Sequence, residues 1–407
     1  MAIPEKHAVA AIAKTRPARI AHFLGLERNV VAASAAVFLL GVGEELWKKY
    51  LPKYLEVLGA GAVAIGLFGT AKDFLDAIYQ YPGGWAADRF GRRRAFVAFI
   101  AIASVGYLIY VVSPSWPFVF AGLAFAMAWT SMASPVVFAV IGDALPKERR
   151  AMGFTLQSLL KRVPMALAPM AGGLLIASTS VSRGVRTGLV ITLGIATVTV
   201  FIARRIDLPA TVGEAANIRG VWQSFHFALK RLLISDIIIR TCEGLAEVFI
   251  ILYVVNVAGT SVARFGVLVA VQMTTSMLVY IPAGRLADRI GRKPFVIATF
   301  VCFAVFPVAV VFASSFPMMV VAFMIGGLRE IGEPSRKAMI VDFAAPHLRA
   351  RSVGLYYLIR GLSITPAAVF GGLLWKFDPR IPFLVAGVVG MLGVLVFAAT
   401  VEERYAS

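Results

Sequence analysis

Long apolar runs follow one another along the chain and exclude most of the ways in which it could fold. Twelve of them are long enough to cross a lipid bilayer as a helix, which takes about 20 residues. They cover approximately residues 30–56, 60–84, 94–113, 117–142, 150–178, 185–205, 231–258, 263–286, 294–313, 317–341, 351–375 and 381–401, and are called spans 1 to 12. Only 15% of the 407 residues are charged, against about a quarter in soluble proteins. Because lipid cannot pair with backbone groups, we predict an all-α membrane protein with twelve transmembrane helices.

Basic side chains gather in alternate loops between these spans. The loops after spans 2, 4, 6, 8 and 10 carry arginine and lysine, whereas the segments 113–117 and 314–317 carry no charge. Because basic loops stay in the cytoplasm, this alternation predicts a multi-pass protein of the cell (inner) membrane with both termini cytoplasmic. The net charge of +18 follows from this topology. It does not indicate a nucleic-acid partner.

A short charged motif occurs twice, each time after a proline and between two apolar runs. Residues 84–93 and 284–293 both read G-x-x-x-D-R-x-G-R-(R/K). Two copies in register indicate an internal duplication. We therefore predict two six-helix bundles related by pseudo-symmetry about an axis along the membrane normal. The predicted divisions are a cytoplasmic N-terminal segment 1–29, bundles 30–206 and 230–401, a cytoplasmic linker 207–229 and a tail 402–407.

The duplicated motif has the residues that a gate between two bundles needs. Its aspartates can lie against the positive N-terminus of a helix in the other bundle. Arg92 and Arg292 can pair with Asp143 and Asp342, which follow equivalent prolines near the ends of spans 4 and 10. The alternative is that the motif serves membrane topology alone. The predicted gating residues are Gly84, Asp88, Arg89, Arg92, Asp143, Gly284, Asp288, Arg289, Arg292 and Asp342.

With these motifs the chain resembles the major facilitator superfamily over nearly its whole length, in its 12-span form and with no subfamily identified. The resemblance implies a monomeric secondary transporter that works by alternating access, with a central cavity lined mainly by spans 1, 2, 4, 5, 7, 8, 10 and 11. The segment from Ala168 to Gly173 in span 5 is similar to the G-P-x-x-G-G signature of antiporters, with Ala168 in place of its first glycine. That similarity implies export in exchange for protons. Helix kinking and close packing are the alternative explanation.

Ionisable side chains recur at helical spacing inside the spans, where they are costly and indicate function. Carboxyl groups there suit proton coupling, and guanidinium groups suit a bound carboxylate or phosphate. The alternative is that about half of these charges only pair with one another. The predicted proton-coupling residues are Glu44, Asp73, Glu243, Glu247 and Glu333. The predicted substrate-binding residues are Lys72, Asp76, Arg162, Arg240, Arg329, Glu330, Arg336 and Arg360.

These patterns favour proton-coupled transport of a small anionic or zwitterionic organic molecule, with export as the favoured direction. A multidrug or cation exporter is an alternative, because the spans also carry carboxylates and the aromatic residues Trp47, Tyr79, Trp129, Tyr253 and Tyr280. Divalent-metal transport through Asp73, Asp76, Glu243 and Glu247 is a further alternative. The sequence contains no phosphate-binding loop and no metal-ligand motif, so we predict no enzyme activity, no cofactor and no resident metal, with the proton gradient as energy source. Cys242 and Cys302 are predicted to be core residues.

Overall fold

The computed structural model describes residues 28–133, 147–204, 218–344 and 349–402, and within them the chain is helical and contains no β-strand. The first half contains Arg28–Glu45 and Leu51–Val57 (span 1), Ala62–Phe90 (2), Arg92–Val112 (3), Trp116–Met127 with a π-helical turn at Ala128–Met132 (4), Lys147–Ala177 (5) and Val181–Ala203 (6). The second contains Phe227–Ala246, Ile250–Leu252 and Tyr253–Val257 (span 7), Val262–Ile290 (8), Lys293–Phe312 (9), Phe316–Leu328 and Glu333–Asp342 (10), Arg349–Ile364 and Ala367–Trp375 (11) and Ile381–Thr400 (12). A short helix, Ile218–Gln223, precedes span 7. Part or all of each predicted span is found among the described residues. The ends agree with the prediction to within a few residues, except that span 2 continues to Phe90 and the predicted end of span 4 at residue 142 lies outside the described residues.

Four of the spans are interrupted, which the apolar pattern does not predict. The break in span 1 lies at Lys48–Tyr50, and the equivalent break in span 7 lies at Glu247–Phe249. Prolines mark where the helix restarts in spans 1, 10 and 11, at Pro52, Pro334 and Pro366. Proline is tolerated at the start of a helix, where its missing N–H has no intrahelical partner to lose. Charged side chains lie at the breaks in spans 1, 7 and 10.

In the part of the chain that the structure describes, seven helical stretches are long and apolar enough to cross a membrane by length and composition. They are Arg92–Val112, Leu160–Ala177, Val181–Ala203, Val262–Ala287, Lys293–Phe312, Ser352–Trp375 and Ile381–Thr400. The other five predicted spans do not meet these criteria. Spans 1, 7 and 10 are broken, the described part of span 4 is short, and span 2 carries several charges. The interrupted and charged helices are the ones that surround the centre of the molecule.

The halves contact each other mainly through two helix pairs, span 5 with span 8 and span 2 with span 11. Glycine allows this approach in the first pair: a Cβ on Gly266 would lie 2.6 Å from the carbonyl oxygen of Pro169 and 3.0 Å from the Cα of Met170. We call the end of the bundle with the two charged motifs the motif end, and the other the far end. The halves also meet towards the far end, where Leu51–Val57 contacts Ile250–Leu252. The molecule is therefore closed between its halves at the far end.

Candidate functional site

A cavity of about 300 Å³ lies between the halves at the level of the breaks in spans 1 and 7. Spans 1 to 5 line it from the first half, and spans 7, 8 and 10 from the second. Its volume is at the lower end of the range for small-molecule sites, about 300–1,000 Å³. The charged residues of its lining are Glu44, Glu45, Lys48, Lys49, Lys72, Asp73, Asp76 and Glu247. Five carboxyl groups thus face three amines.

The predicted residues that line this cavity form ion pairs with one another or hydrogen bonds with nearby hydroxyl groups. Glu44 accepts a hydrogen bond of 2.5 Å from the Tyr107 hydroxyl and one of 3.3 Å from Thr130 Oγ1. Asp76 accepts one of 2.6 Å from Ser131 Oγ in the π-helical turn of span 4. Lys72 and Asp73, which are neighbours on span 2, form an ion pair of 3.2 Å (Nζ to Oδ1). The helical spacing of charges predicted the four charged groups, but not their hydroxyl partners Tyr107, Thr130 and Ser131.

Aromatic rings form much of the remaining wall. The Trp47 ring lies edge-on to Tyr107 and Tyr110, with centroid distances of 5.6 and 5.8 Å. Its indole nitrogen donates to Thr192 Oγ1 at 3.1 Å, which fixes the ring in the break of span 1. Phe265 and Phe323 close the wall from the second half. Carboxylates next to aromatic faces suit a cation with an apolar body.

One ion pair of the cavity joins the two halves. Lys49 Nζ of span 1 lies 3.1 Å from Glu247 Oε1 of span 7. Closer to the far end, the Asn256 side-chain amide donates a hydrogen bond to Glu56 Oε1 at 2.6 Å, and its Oδ1 accepts one from the Lys53 amine. These contacts connect the segments that follow the two equivalent breaks. Opening of the far end has to break them.

The predicted arginines of spans 7, 10 and 11 form a separate network inside the second half. Arg336 pairs with Asp236 and, at 2.7 Å, with Glu333 Oε1. Asp236 also accepts from the Tyr356 hydroxyl at 3.0 Å and lies 3.3 Å from Arg360 Nη1. These groups tie three spans together. Neither Arg336 nor Arg360 is part of the cavity lining.

Arg240 and Arg329 continue this network towards the cavity. Arg240 lies 2.8 Å from Glu243 Oε2 and 3.2 Å from Glu333 Oε2, and Arg329 lies 3.3 Å from Glu243 Oε1. Both guanidinium groups also lie over the Phe303 ring at 4.8 Å from its centroid. The carboxyl groups Glu243 and Glu333 are therefore held by arginine, whereas Glu44, Asp73 and Glu247 face the cavity.

The two other predicted substrate-binding residues pair with each other across the halves. Arg162 of span 5 lies 2.8 Å from Glu330 Oε2 in the break of span 10. It also donates to Ser276 Oγ at 2.5 Å and lies over the Tyr280 ring at 4.4 Å from the centroid, both on span 8. The structure thus divides the predicted site into a cavity, a network in the second half and a bridge between the halves.

Comparison with known proteins identifies the scaffold. The family model described as Major Facilitator Superfamily matches residues 33–242 and again residues 232–407, which together cover almost the whole chain. The chain belongs to the major facilitator superfamily. Two successive matches also agree with the duplication in the sequence.

Two curated relatives span nearly the same length as this major facilitator protein. An uncharacterized MFS-type transporter of Methanocaldococcus jannaschii is 22% identical over 380 residues, which is 91% of this chain and 94% of the relative. The multidrug resistance protein MdtG of Escherichia coli is 24% identical over 382 residues, covering 89% and 92%. The chain is therefore a multi-pass membrane transporter.

Among solved structures, the nucleoside transporter NupG superposes with a TM-score of 0.77 at 11% identity, covering 93% of this chain and all of that one. A peptide transporter POT bound to sulfate superposes with a TM-score of 0.72 at 15% identity, covering 91% and 93%. At these identities the likeness concerns the fold alone. It confirms the predicted all-α architecture of two six-helix bundles.

In this major facilitator protein the charged motifs lie where spans 2 and 3, and spans 8 and 9, connect. Gly91 and Gly291 have φ angles of 87° and 103°, a region that favours glycine, so a turn fits there without strain. Arg292 pairs with Asp342 of span 10, the pairing that the repeat spacing predicts. Gly284 packs towards Pro334 of span 10.

Other gating residues are less fully described. Arg92 is buried, whereas Arg89 and Arg289 are exposed. Gly84 lies within the helix of span 2. Asp143 lies outside the described residues, as do the side chains of Asp88 and Asp288. The gating role of the motif stays a prediction.

Sequence reasoning missed several side chains that shape the cavity. Glu45, Lys48 and Lys49 are all in its lining but are not among the predicted site residues. The sequence did contain a signal for these residues. Positions 44 and 48, and positions 45 and 49, are four residues apart, a spacing that places their charged side chains close together on a helix. The break in span 1 is what brings both pairs to the cavity. Tyr107 had no such signal, since a tyrosine in an apolar run is ordinary.

Proposed function

We propose that this chain is a secondary transporter that exchanges a small cationic or zwitterionic organic molecule for protons by alternating access. The observation that carries this proposal is the lining of the cavity, where five carboxyl groups and three lysines lie among aromatic rings. The sequence favoured an anionic or zwitterionic substrate because of its arginines. Arg240, Arg329, Arg336 and Arg360 are paired with carboxylates and lie outside that lining, which favours the cationic alternative.

The chemistry of the lining also supports exchange rather than symport. A carboxylate can neutralise either a proton or the positive group of a substrate, so the two compete for the same oxygen atoms. Competition of this kind couples entry of one to release of the other. Similarity to the multidrug resistance protein MdtG of Escherichia coli supports export as the direction of transport. The basic loops support an inner-membrane protein with both termini in the cytoplasm.

The proposed coupling needs no cofactor and works in a monomer, since both halves of the cavity come from one chain. Among the described residues no group of three histidine, cysteine, aspartate or glutamate side chains is placed to hold a metal ion. Opening of the far end would break the ion pairs Lys49–Glu247 and Arg162–Glu330, which join the two halves. Opening of the motif end would instead break contacts between the halves at that end.

The decisive experiment compares matched cations and anions. The purified protein is reconstituted into liposomes with an acidic interior and an internal pH dye, and a permanently charged aromatic cation such as benzyltrimethylammonium is compared with a permanently charged anion such as benzenesulfonate. Neither ion crosses the bilayer as a neutral species. We expect the cation to drive proton release and to stabilise the protein in a thermal-shift assay. The variant Asp76→Asn should weaken both responses, whereas Asp378→Asn, in the loop between spans 11 and 12, should leave them unchanged. Responses to the anion alone would show that the substrate is an anion, and the absence of any proton movement would contradict proton exchange.

A further inference from the structure

A second cavity, of about 370 Å³, lies between spans 7, 11 and 12 of the second half. Span 11 supplies most of its lining, at positions from Ser363 to Phe377 that recur every three or four residues. This spacing is that of one face of a helix. The opposite face of span 11 packs against span 2, where Gly361 lies against Ala77. The cavity, which we call the side groove, is therefore on the outer surface of the bundle.

The rim of the side groove is exposed and apolar. Phe370, Leu373 and Phe377 are 55%, 42% and 81% exposed. The lining contains two hydroxyl groups at its inner end and is otherwise apolar. One of these hydroxyl groups, on Thr241, donates to the Ile237 carbonyl oxygen at 2.8 Å. A concave apolar surface of this kind on the outside of a membrane protein is suited to a hydrocarbon chain.

The side groove has the length of one lipid leaflet. The distance along span 11 from Ser363 to Phe377 is about 21 Å at the rise of an α-helix, and half of the hydrocarbon core of a bilayer is about 15 Å thick. Ser363 lies near the middle of span 11, and Phe377 follows its last helical residue, Trp375. The groove thus runs from the middle of the bilayer to its surface at the far end.

Two basic side chains lie where the groove reaches that surface. Lys376 precedes Phe377, Arg380 directly precedes span 12, and both are exposed. The far-end connections between spans 3 and 4 and between spans 9 and 10 carry no charge. Asp378 lies between the two basic residues and accepts a hydrogen bond from the backbone N–H of Arg380 at 2.7 Å. The two cations outnumber this carboxylate, so the open end of the groove favours an anionic group.

The equivalent positions of the first half carry neither the aromatic rings nor the lysine. In the repeat, the glycine pair 172–173 of span 5 corresponds to the pair 371–372 of span 11. With this alignment, the counterparts of Phe370, Phe377 and Lys376 are Ala171, Ser178 and Ala177. The duplicated fold does not need these three side chains, which indicates that they have a role of their own.

We propose that the side groove binds one acyl chain of a phospholipid from the leaflet at the far end, and that Lys376 and Arg380 pair with its phosphate. Lipid tails are as apolar as the groove, so burial of the chain alone does not retain one molecule in preference to its neighbours. Charge-assisted contacts with the phosphate supply that retention. The bound chain lies against Leu245 of span 7, just before the break at Glu247–Phe249. The inference is independent of the proposed transport.

The first test blocks the groove. The purified full chain is stripped of lipid in detergent and titrated with dioleoyl phosphatidylglycerol, and native mass spectrometry counts the bound lipid molecules. We expect Ser363→Phe, which fills the inner end, to lose the first lipid that the wild type binds. The matched variant Thr197→Phe, at an exposed position of span 6, should retain it. Retention in Ser363→Phe, or equal loss in both variants, would overturn the proposal.

The second test concerns the phosphate, and it stays valid if Ser363→Phe does not fold, because it changes exposed side chains only. Dioleoylglycerol has the same chains without the phosphate, and the wild type should bind it more weakly than the phospholipid. The double variant Lys376→Gln with Arg380→Gln should lose this preference. Arg183→Gln with Arg264→Gln removes the same charge from exposed positions at the same end and should keep it. Equal binding of the two lipids to the wild type would contradict the role of the phosphate.

A third measurement separates a lipid from a transported molecule as the occupant. Benzyltrimethylammonium should shift the unfolding midpoint of Ser363→Phe as it shifts that of the wild type, since the central cavity is unchanged. Loss of this shift in Ser363→Phe together with unchanged lipid binding would show that the side groove is a substrate site, and the proposal would be wrong. If benzyltrimethylammonium shifts neither protein while the lipid results are as expected, the proposed function fails and the lipid site stands.

Discussion

Arg336 is 1% exposed and still carries a full charge, because its partners come from two spans. Asp236 of span 7 and Glu333, one turn earlier on span 10, accept its hydrogen bonds. A buried charge is tolerated only when it is paired and hydrogen-bonded. The network around Arg336 therefore serves to hold spans 7, 10 and 11 as one unit.

We expect Arg336→Gln to destabilise the protein strongly. Removal of one member of a buried ion pair leaves the other charge without compensation and costs about 3–5 kcal/mol. Because Tyr356 and Arg360 still reach Asp236, we expect the lower part of that range. Thermal unfolding in detergent measures the change. Lys337→Gln is the control, since that side chain is 51% exposed and approaches Glu333 Oε1 only to 3.6 Å. Equal unfolding midpoints for the two variants would contradict a structural role for the network.

Helical spacing predicted most of the charged residues of the cavity but not their partners. Periodicity places side chains on one face of a helix, and it gives no distance to another helix. It therefore grouped Asp76 of the cavity with Arg336 of the network as substrate ligands. Only the packing of span 10 against spans 7 and 11 separates them.

At the scale of elements, the contact of span 5 with span 8 depends on small residues. A Cβ at Gly173 would lie 3.0 Å from the carbonyl oxygen of Val262, and Gly266 faces span 5 in the same way. Side chains of any size would keep these helices apart, since protein interiors leave no spare volume. The segment with the antiporter-like signature is thus also the contact surface between the halves.

We expect Gly266→Val to open the far end. The added methyl groups would overlap Pro169 and Met170, and overpacking costs about 1–3 kcal/mol in the closed state. Spin labels at positions 57 and 257, one on each half at the far end, report the distance by pulsed electron paramagnetic resonance in a background without the two native cysteines. We expect a longer distance than in the wild type. Gly194→Val is the matched control, because a Cβ there meets nothing within 4 Å. An unchanged distance in Gly266→Val would show that this packing does not set the closed state.

At the scale of the whole molecule, the two halves have the same helices and different charge patterns. The second half holds its arginines in an internal network, whereas the first half supplies seven of the eight charged side chains of the cavity. Movement of the halves therefore changes the contacts of the cavity and leaves the network intact. The ion pair Lys49–Glu247 is where the two halves meet within the cavity.

A charge swap tests whether that pair stabilises the far end. We expect Glu247→Lys to increase the open population, because two lysines then face each other across the halves. The double variant Lys49→Glu with Glu247→Lys should restore the wild-type distance between the same spin labels. Both side chains are about one-third exposed, so the pair contributes about 0.2–1 kcal/mol, a small shift in population. No recovery in the double variant would mean that the pair is incidental to closure.

The sequence by itself determined the membrane fold, the number of spans and the duplication. Apolar runs and repeats act locally along the chain, and lipid leaves a long apolar segment little choice but a helix. It also predicted the partners Arg292 and Asp342, because the repeat fixes equivalent positions. These conclusions needed no contact between distant residues.

The tertiary structure alone decided which charges face the cavity and which face each other. That outcome depends on helix breaks, such as the one that brings Lys49 to the cavity, and on packing angles between spans that are distant in sequence. Electrostatic energy varies steeply with distance and with burial, so a shift of a few ångströms converts a candidate ligand such as Arg336 into a structural ion pair.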